Sequence, residues 1–254
     1  QGLSVCGDHG RFGPQEQETM NYVLAVLAVG FIVLIHETGH FVAAKLAGIP
    51  IRTFSIGFGP RLYALRRGGT EYRLSLIPLG GYVMPDIDDE KAFFDLPVLR
   101  RVVLAAGGPA ASLALPFFCF ALSGALRFGP GFDSLLLQPL EQTAMAFMKI
   151  ASVIPLLFTH HGELSGIAGI VSQGGRFIGT DGHNLLSFTA LMSINLAVLN
   201  LLPVPVLDGG KIVMYAMEKL SRKVVKLHYP LSVAGWALML ALMIYATVLD
   251  VGRM

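Results

Sequence analysis

The sequence predicts a mainly α-helical, polytopic membrane protein with about four transmembrane helices and a small cytoplasmic β-hairpin or sheet between the first two. Of its 254 residues, 54% are hydrophobic and 14% are charged, whereas soluble domains carry about 25% charged residues. This composition excludes a disordered chain. The net charge of +2, without a basic stripe, argues against nucleic-acid binding. Cys6 and Cys119 lie far apart, which disfavours a disulfide scaffold or a cysteine zinc site.

Four segments are apolar enough to cross the roughly 30 Å hydrocarbon core, which takes about 20 residues of helix. The predicted spans are residues 22–47, 102–126, 185–202 and 231–249. A fifth apolar stretch, residues 144–158, contains Lys149 and Pro155 and is interpreted as an interfacial or partly buried helix. Residues 1–19 form a polar tail without a signal-peptide core, either an extracytoplasmic arm or a vector-derived remnant before a native start at Met20.

The distribution of positive charge predicts the orientation of these spans. Nine Lys and Arg residues lie between the first and second spans, counting from Lys45, three between the second and third, and five between the third and fourth. Cytoplasmic loops carry the excess of positive charge in membrane proteins. The first and third loops are therefore predicted in the cytoplasm, and both termini on the opposite side.

A β region is predicted in the first loop, at about residues 51–83. Residues 51–58 and 71–77 are strand-like, and the segment between them includes an Arg-Arg-Gly-Gly-Thr turn. An exposed strand edge can pair with an extended peptide. The alternative is a hairpin that only packs against the membrane face.

The first span contains the sequence His36-Glu37-Thr38-Gly39-His40. Residues four apart lie on one face of a helix, so both imidazoles can reach a single ion, and zinc accepts neutral histidine nitrogen. Glu37 lies beside that face and can take a proton from an attacking water. The alternative, two structural histidines and a buried carboxyl group, is disfavoured because ionisable groups within membrane helices are costly.

Asp208 is the best candidate for a third protein ligand. It follows the third span in Asn-Leu-Leu-Pro-Val-Pro-Val-Leu-Asp-Gly-Gly, where Pro203 and Pro205 break the helix. Broken backbone at membrane depth is tolerated where it lines a cavity. Alternatively, Asp208 only caps the following helix. The remaining histidines and the outer-loop glutamates lie in tails, loops or span margins: His9, His160, His161, His183, His228, Glu141 and Glu163.

The HETGH motif, followed about 170 residues later by N-x-x-P-x-P-x-LDGG, resembles the site-2 protease family (M50) of intramembrane zinc metalloproteases. Residues 54–60, 71–83, 105–109 and 162–169 resemble its bacterial branch, which cleaves anti-sigma factors. The resemblance extends over most of the chain from Met20. Two features depart from it: residues 127–182 are too few for the PDZ domain of many relatives, and Ser112 stands where many carry Asn.

The resemblance implies that Zn²⁺ is the cofactor and that three side chains bind it: His36, His40 and Asp208. It implies that Glu37 is the general base. Asn200 and Asn195 match family asparagines near the reaction centre, where an amide can bind substrate or an oxyanion. An asparagine in a span can instead bond a neighbouring helix.

The resemblance further implies a multi-pass protein of the bacterial inner (plasma) membrane, with its active site near the cytoplasmic face. Its substrate would be a single-span membrane protein, anti-sigma-factor-like or a signal-peptide remnant, cut in or near its transmembrane segment during regulated intramembrane proteolysis. The alternatives are a metal transporter, a catalytically silent scaffold of the same fold, or a membrane interaction protein. The ligands gathered at one level disfavour the transporter, and the presence of all four site residues disfavours the scaffold.

Overall fold

A computed structural model describes residues 13–87, 89–157, 167–179, 182–219, 221 and 223–253. The helices are α1 (Pro14–Leu46), α2 (Glu90–Asp95), α3 (Val98–Phe128), α4 (Gln138–Leu157), α5 (Ile167–Ile178), α6 (Gly182–Asn200), α7 (Asp208–Glu218) and α8 (Lys223–Arg253), with a π-helical turn at Asp133–Leu137. The strands are β1 (Ile51–Arg67) and β2 (Thr70–Pro85). Five residues considered above lie outside the described residues: Cys6, His9, His160, His161 and Glu163.

Three of the described helices are long and apolar enough to cross a membrane: Gln15–Leu46, Val98–Phe128 and Pro230–Leu249. They coincide with the first, second and fourth predicted spans, which confirms a mainly helical membrane protein. α1 begins at Pro14, so residues 14–19 of the predicted tail belong to the first helix. Its start is stabilised by the Glu16 side chain, which accepts a hydrogen bond of 3.0 Å from the Gly13 backbone N–H.

The third predicted span, residues 185–202, forms α6, but α6 is not among the three candidate membrane helices of the described chain. Polar residues such as Asn184 and Asn195 lower its hydropathy. α6 packs against α1, α3, α4 and α5, and Ala190 and Ile194 are fully buried. α6 is thus an internal helix of the bundle, and by hydropathy alone it falls outside the three candidates. Residues 144–157 of the fifth apolar stretch lie in α4, which packs against α3 and α6.

The backbones of α1 and α3 are in direct contact at two glycines, Gly39 and Gly107. A methyl carbon added to Gly39 would lie 2.8 Å from the carbonyl carbon of Gly107, and one added to Gly107 would lie 2.9 Å from that of Gly39. Small residues permit this close approach between helices in membranes. The contact brings the HETGH segment of α1 directly against α3.

The two strands form an antiparallel sheet between the first two membrane helices, as predicted. Their turn has Gly68 and Gly69 at φ angles of 58° and 81°, which glycine adopts without steric cost. The first half of β1 lies between the two halves of β2, because Phe54 pairs with both Tyr72 and Val83. The last residues of β2 therefore form an outer strand of the sheet.

The sheet is attached to the end of α1. Ala44, Ile49 and Ile51 form a buried cluster there, and the Phe41 ring of α1 lies 5.1 Å from the ring of Phe54, centroid to centroid. Burial of these side chains stabilises the junction by the hydrophobic effect. The junction fixes the position of the sheet relative to the HETGH segment, about one helical turn away.

Candidate metal centre

Two helices bring three possible ligand atoms together. His36 and His40 lie one turn apart on the same face of α1, and Asp208 is the first residue of α7. The Nε2 atoms of the histidines are 3.2 Å apart. The Oδ2 atom of Asp208 lies 3.3 Å from Nε2 of His36 and 3.1 Å from Nε2 of His40. The structure therefore brings together the three predicted ligands from distant parts of the sequence.

The spacing of these atoms fits zinc. Zinc–nitrogen and zinc–oxygen bonds of about 2.0–2.1 Å in a tetrahedron place neighbouring ligand atoms about 3.3 Å apart, close to the three distances between these atoms. Two imidazoles and a carboxylate form a usual set of zinc ligands. Gly108 of α3 keeps the space open, since a methyl carbon there would collide with Nε2 of His40 and lie 2.7 Å from Nε2 of His36.

Each of the three ligands has a hydrogen-bonding partner on its far side. With Nε2 left free to bind an ion, Nδ1 of each imidazole carries the proton. Nδ1 of His40 lies 2.8 Å from the carbonyl oxygen of Leu104, and Nδ1 of His36 lies 2.9 Å from Oγ of Ser112. These contacts orient both rings with Nε2 facing Asp208.

Asp208 is held by the broken backbone that precedes α7. The chain turns sharply after α6, and methyl carbons on Gly209 and Gly210 would collide with the backbone of residues 201–205. Burial raises the pKa of Asp208, but the neighbouring imidazoles and the charge of Lys211 outweigh this effect and hold the pKa below its usual range. Nζ of Lys211 lies 3.0 Å from Oδ1. The carboxylate faces the histidines, while Leu207 is the N-cap residue, so capping does not explain Asp208.

A cavity of about 760 Å³ opens onto these ligands. Glu37 lines it beside His36 and His40, as the helical spacing predicts. Its lining also includes Tyr82 and Val83 from the end of β2. The strand lies close to Glu37, because a methyl carbon on Gly81 would be 3.1 Å from Cγ of Glu37. A backbone entering the cavity would therefore meet the ligands, a carboxyl group and a strand edge together.

The two predicted asparagines occupy different environments on α6. Asn200 lines the cavity, and its side-chain amide donates a hydrogen bond of 3.1 Å to the carbonyl of Leu196. Asn195 is half-buried and is not among the described residues that line this cavity. The geometry thus brings Asn200, but not Asn195, to the wall of the site.

Sequence reasoning did not anticipate the role of Arg101. Its side chain is 1% exposed, its Nη1 atom lies 2.6 Å from Oε2 of Glu218 at the end of α7, and it lines the cavity. The guanidinium carbon lies 5.1 Å from the ring centre of Phe94 and 5.0 Å from that of Tyr215. The available signal was a positive charge at the very start of an apolar span, which the charge count assigned only to a loop.

Comparison with known proteins identifies the family. The family model described as peptidase family M50 matches residues 24–244. The chain belongs to peptidase family M50. It is a membrane-embedded zinc metalloprotease, and Zn²⁺ is its cofactor.

Relatives of this M50 protease include bacterial proteins named as zinc metalloproteases. One from Campylobacter jejuni is 27% identical over 92% of this chain and 94% of the relative. One from Synechocystis is 27% identical over 91% of this chain and 95% of the relative. The Campylobacter alignment extends over 346 positions, more than the 254 residues of this M50 protease, so the relative carries segments without a counterpart here.

Proposed function

We propose that the protein hydrolyses a peptide bond in or near the transmembrane segment of another membrane protein, in regulated intramembrane proteolysis. The observation that carries the proposal is the tetrahedral spacing of the His36, His40 and Asp208 ligand atoms beside Glu37, on a helix apolar enough to span a membrane. Ionisable side chains within a membrane helix cost free energy, and a cluster of them therefore marks a functional site.

In this proposal His36, His40 and Asp208 hold the zinc ion. Zinc, when bound, supplies Lewis-acid polarisation and lowers the pKa of a water. Glu37 accepts the proton of the attacking water and delivers it to the leaving amine nitrogen.

Asn200 is proposed to donate a hydrogen bond to the oxyanion that forms at the scissile carbonyl. Its amide group has two N–H donors, and the bond to Leu196 uses one of them. Its position on the cavity wall supports this role. The corresponding role of Asn195 gains no support from its position outside the described cavity wall.

The end of β2 is proposed to bind the substrate backbone as an added strand. A helical substrate hides its scissile amide in intrahelical hydrogen bonds and must unwind before it can be attacked. The outer strand of the sheet, with Tyr82 and Val83 on the cavity wall, offers backbone groups to such an unwound segment. The strand and Glu37 are close enough for the paired segment to present its carbonyl to the catalytic group.

The location proposed for the active site is near the cytoplasmic face of the bacterial inner (plasma) membrane, with both termini extracytoplasmic. The nine positive residues between the first two predicted spans support this orientation. The proposed substrate is a single-span membrane protein, such as an anti-sigma-factor-like protein or a signal-peptide remnant within the lipid bilayer. No nucleic acid is proposed as a partner.

Substitution of Glu37 tests the proposed reaction. Glu37→Gln removes the proton acceptor and leaves the ligands in place, so it should keep zinc at the wild-type stoichiometry and lower cleavage of a single-span model substrate by at least 10²-fold. Zinc content is measured by atomic absorption, and cleavage by gel analysis in proteoliposomes. Glu141→Gln, on the exposed face of α4, is the matched control and should cleave normally.

Zinc content is also measured for Asp208→Ala. Its control is Asp86→Ala, at an exposed position. Loss of zinc in the first variant alone is the expected result. Full cleavage by Glu37→Gln would refute the proposed base, and full zinc occupancy in Asp208→Ala would remove Asp208 from the ligand set. Zinc-dependent ion flux without cleavage in the wild type would instead favour a transporter.

A further inference from the structure

Ser112 of α3 contacts a metal ligand from the side opposite the cavity. It is fully buried, and its Oγ atom lies 2.9 Å from Nδ1 of His36, which is 76 residues earlier in the chain. Water cannot reach this position to replace the hydroxyl group. The serine is therefore the partner that the buried ring nitrogen has in the described structure.

The backbone of Ser112 is itself held in place by a neighbouring helix. Pro116, four residues later in α3, has no N–H, so the carbonyl of Ser112 lacks its usual helical donor. The hydroxyl group of Ser193 on α6 supplies the missing hydrogen bond, with 2.8 Å between its Oγ and the Ser112 carbonyl oxygen. Ser193 is also fully buried. Pro116 thus leaves the Ser112 carbonyl oxygen free to accept the hydrogen bond from Ser193, which joins α6 to α3 at this residue.

The two ring nitrogens of His36 have separate tasks. Nε2 faces the other ligands, 3.2 Å from Nε2 of His40 and 3.3 Å from Oδ2 of Asp208. A proton on Nε2 would occupy the direction of the metal bond, so a metal-binding ring must carry its proton on Nδ1. A hydroxyl oxygen within hydrogen-bonding distance of Nδ1 stabilises that tautomer and fixes the plane of the ring.

We propose that Ser112 is a positioning residue for the zinc ion: its hydroxyl oxygen accepts a hydrogen bond from Nδ1–H of His36 and keeps Nε2 bare and directed at the metal. The inference rests on the proposed assignment of His36 as a ligand. It adds a residue whose contribution is to metal affinity rather than to proton transfer.

The test is the zinc affinity of Ser112→Ala in the detergent-solubilised 254-residue chain, measured by competition with a chromophoric chelator. The expected result is a 10- to 100-fold weaker affinity, the usual effect of removing a hydrogen-bond partner of a metal-binding histidine. Ser112→Thr keeps the hydroxyl group and should recover most of the loss. The thermal midpoints of the metal-free wild type and Ser112→Ala are measured as well, and the affinities are compared at a temperature where both are folded, which separates a positioning role from a general loss of structure.

Ser123→Ala is a matched control on the same helix. The Oγ atom of Ser123 lies 3.2 Å from Nδ1 of His183, so the variant also removes a serine–histidine contact but leaves the metal ligands untouched. Its zinc affinity should equal that of the wild type. An equal loss in Ser123→Ala and Ser112→Ala would overturn the proposal, as would wild-type affinity in Ser112→Ala.

Two further measurements separate the possible failures. If His36→Ala binds zinc as the wild type does, the ligand assignment fails and the inference with it, whereas loss in His36→Ala with no loss in Ser112→Ala refutes only the inference. Should Ser112→Ala not fold, proton exchange at Nδ1 of His36 is followed by NMR in zinc-loaded wild type. A proton found on Nδ1 rather than on Nε2 supports the proposed tautomer, and a proton on Nε2, or exchange at Nδ1 as fast as in a solvent-exposed imidazole, overturns it.

Discussion

Gly108 shows how one missing side chain makes room for the metal. Because a methyl carbon at this position would lie 2.7 Å from Nε2 of His36 and collide with His40, Gly108→Ala should force the imidazoles apart. We expect at least a 10-fold loss of zinc affinity, measured by chelator competition. Helical secondary structure, measured by circular dichroism, should be preserved because alanine favours a helix.

Gly252→Ala provides the control for this substitution, since nothing lies within 4 Å of a methyl carbon at that helical position. It should bind zinc as the wild type does. Wild-type affinity in Gly108→Ala would show that the histidines can move away without loss, and would contradict the packing argument.

Some of the metal centre could be predicted from sequence because its chemistry is local. His36, Glu37 and His40 lie within one helical turn, and Asp208 follows an unusual proline- and glycine-rich break. Ser112 stood out only as a departure from the family pattern, and nothing in the residues around it indicated a contact with His36. Its role depends on which helix face lies opposite α1, and that is set by the contact between Gly39 and Gly107 rather than by any short motif.

At the scale of elements, α3 organises the centre without contributing a predicted ligand. Four positions at spacings of three or four residues lie on one of its faces. These positions are Arg101, Leu104, Gly108 and Ser112. Leu104 and Ser112 contact Nδ1 of the two ligand histidines, and Gly108 leaves space for the metal. Arg101 holds α7, whose first residue is Asp208, through Glu218 at its other end.

Breaking the buried pair between α3 and α7 should weaken both the fold and the metal site. Arg101→Met leaves the carboxylate of Glu218, 11% exposed, without its partner, and removing one partner of a buried pair costs about 3–5 kcal/mol. We expect a lower thermal midpoint in detergent and a lower zinc affinity. Replacing both residues, in Arg101→Met with Glu218→Leu, should recover part of the stability.

The exposed pair of Arg52 and Asp86 serves for comparison. Its side chains are 49% and 48% exposed, and such pairs contribute about 0–1 kcal/mol. Arg52→Met should therefore shift the thermal midpoint far less than Arg101→Met. Equal shifts would show that burial adds nothing to the α3–α7 pair.

The element boundaries were predictable where hydropathy changes sharply, and less so elsewhere. The apolar runs of α1, α3 and α8 gave the membrane helices, and Gly68-Gly69 gave the turn of the sheet. The alternation of apolar and polar residues could not reveal that Phe54 pairs with both Tyr72 and Val83. That double pairing depends on how β2 bends back along β1. Composition could not reveal that α6 packs against four other helices, because contacts with helices and contacts with lipid both favour apolar side chains.

At the scale of the whole molecule, the orientation in the membrane is the property to test. In a variant with Cys6 and Cys119 replaced by serine, single cysteines are introduced at two exposed positions, Arg67→Cys near the sheet turn and Asp133→Cys after α3. In intact cells a membrane-impermeant thiol reagent should label Asp133→Cys, and Arg67→Cys only after permeabilisation. The reverse pattern would contradict the proposed orientation.

The unpaired outer edge of β2 also bears on how copies of this protein avoid one another. An exposed edge strand is a template for aggregation between identical chains. Here Tyr82 and Val83 at the end of β2 line the same cavity as Glu37 and the ligands, and this cavity of about 760 Å³ is far too small to admit a folded copy of the chain. The recess thus protects the edge from self-association, and it leaves that edge open to a thin, extended chain that can enter the cavity.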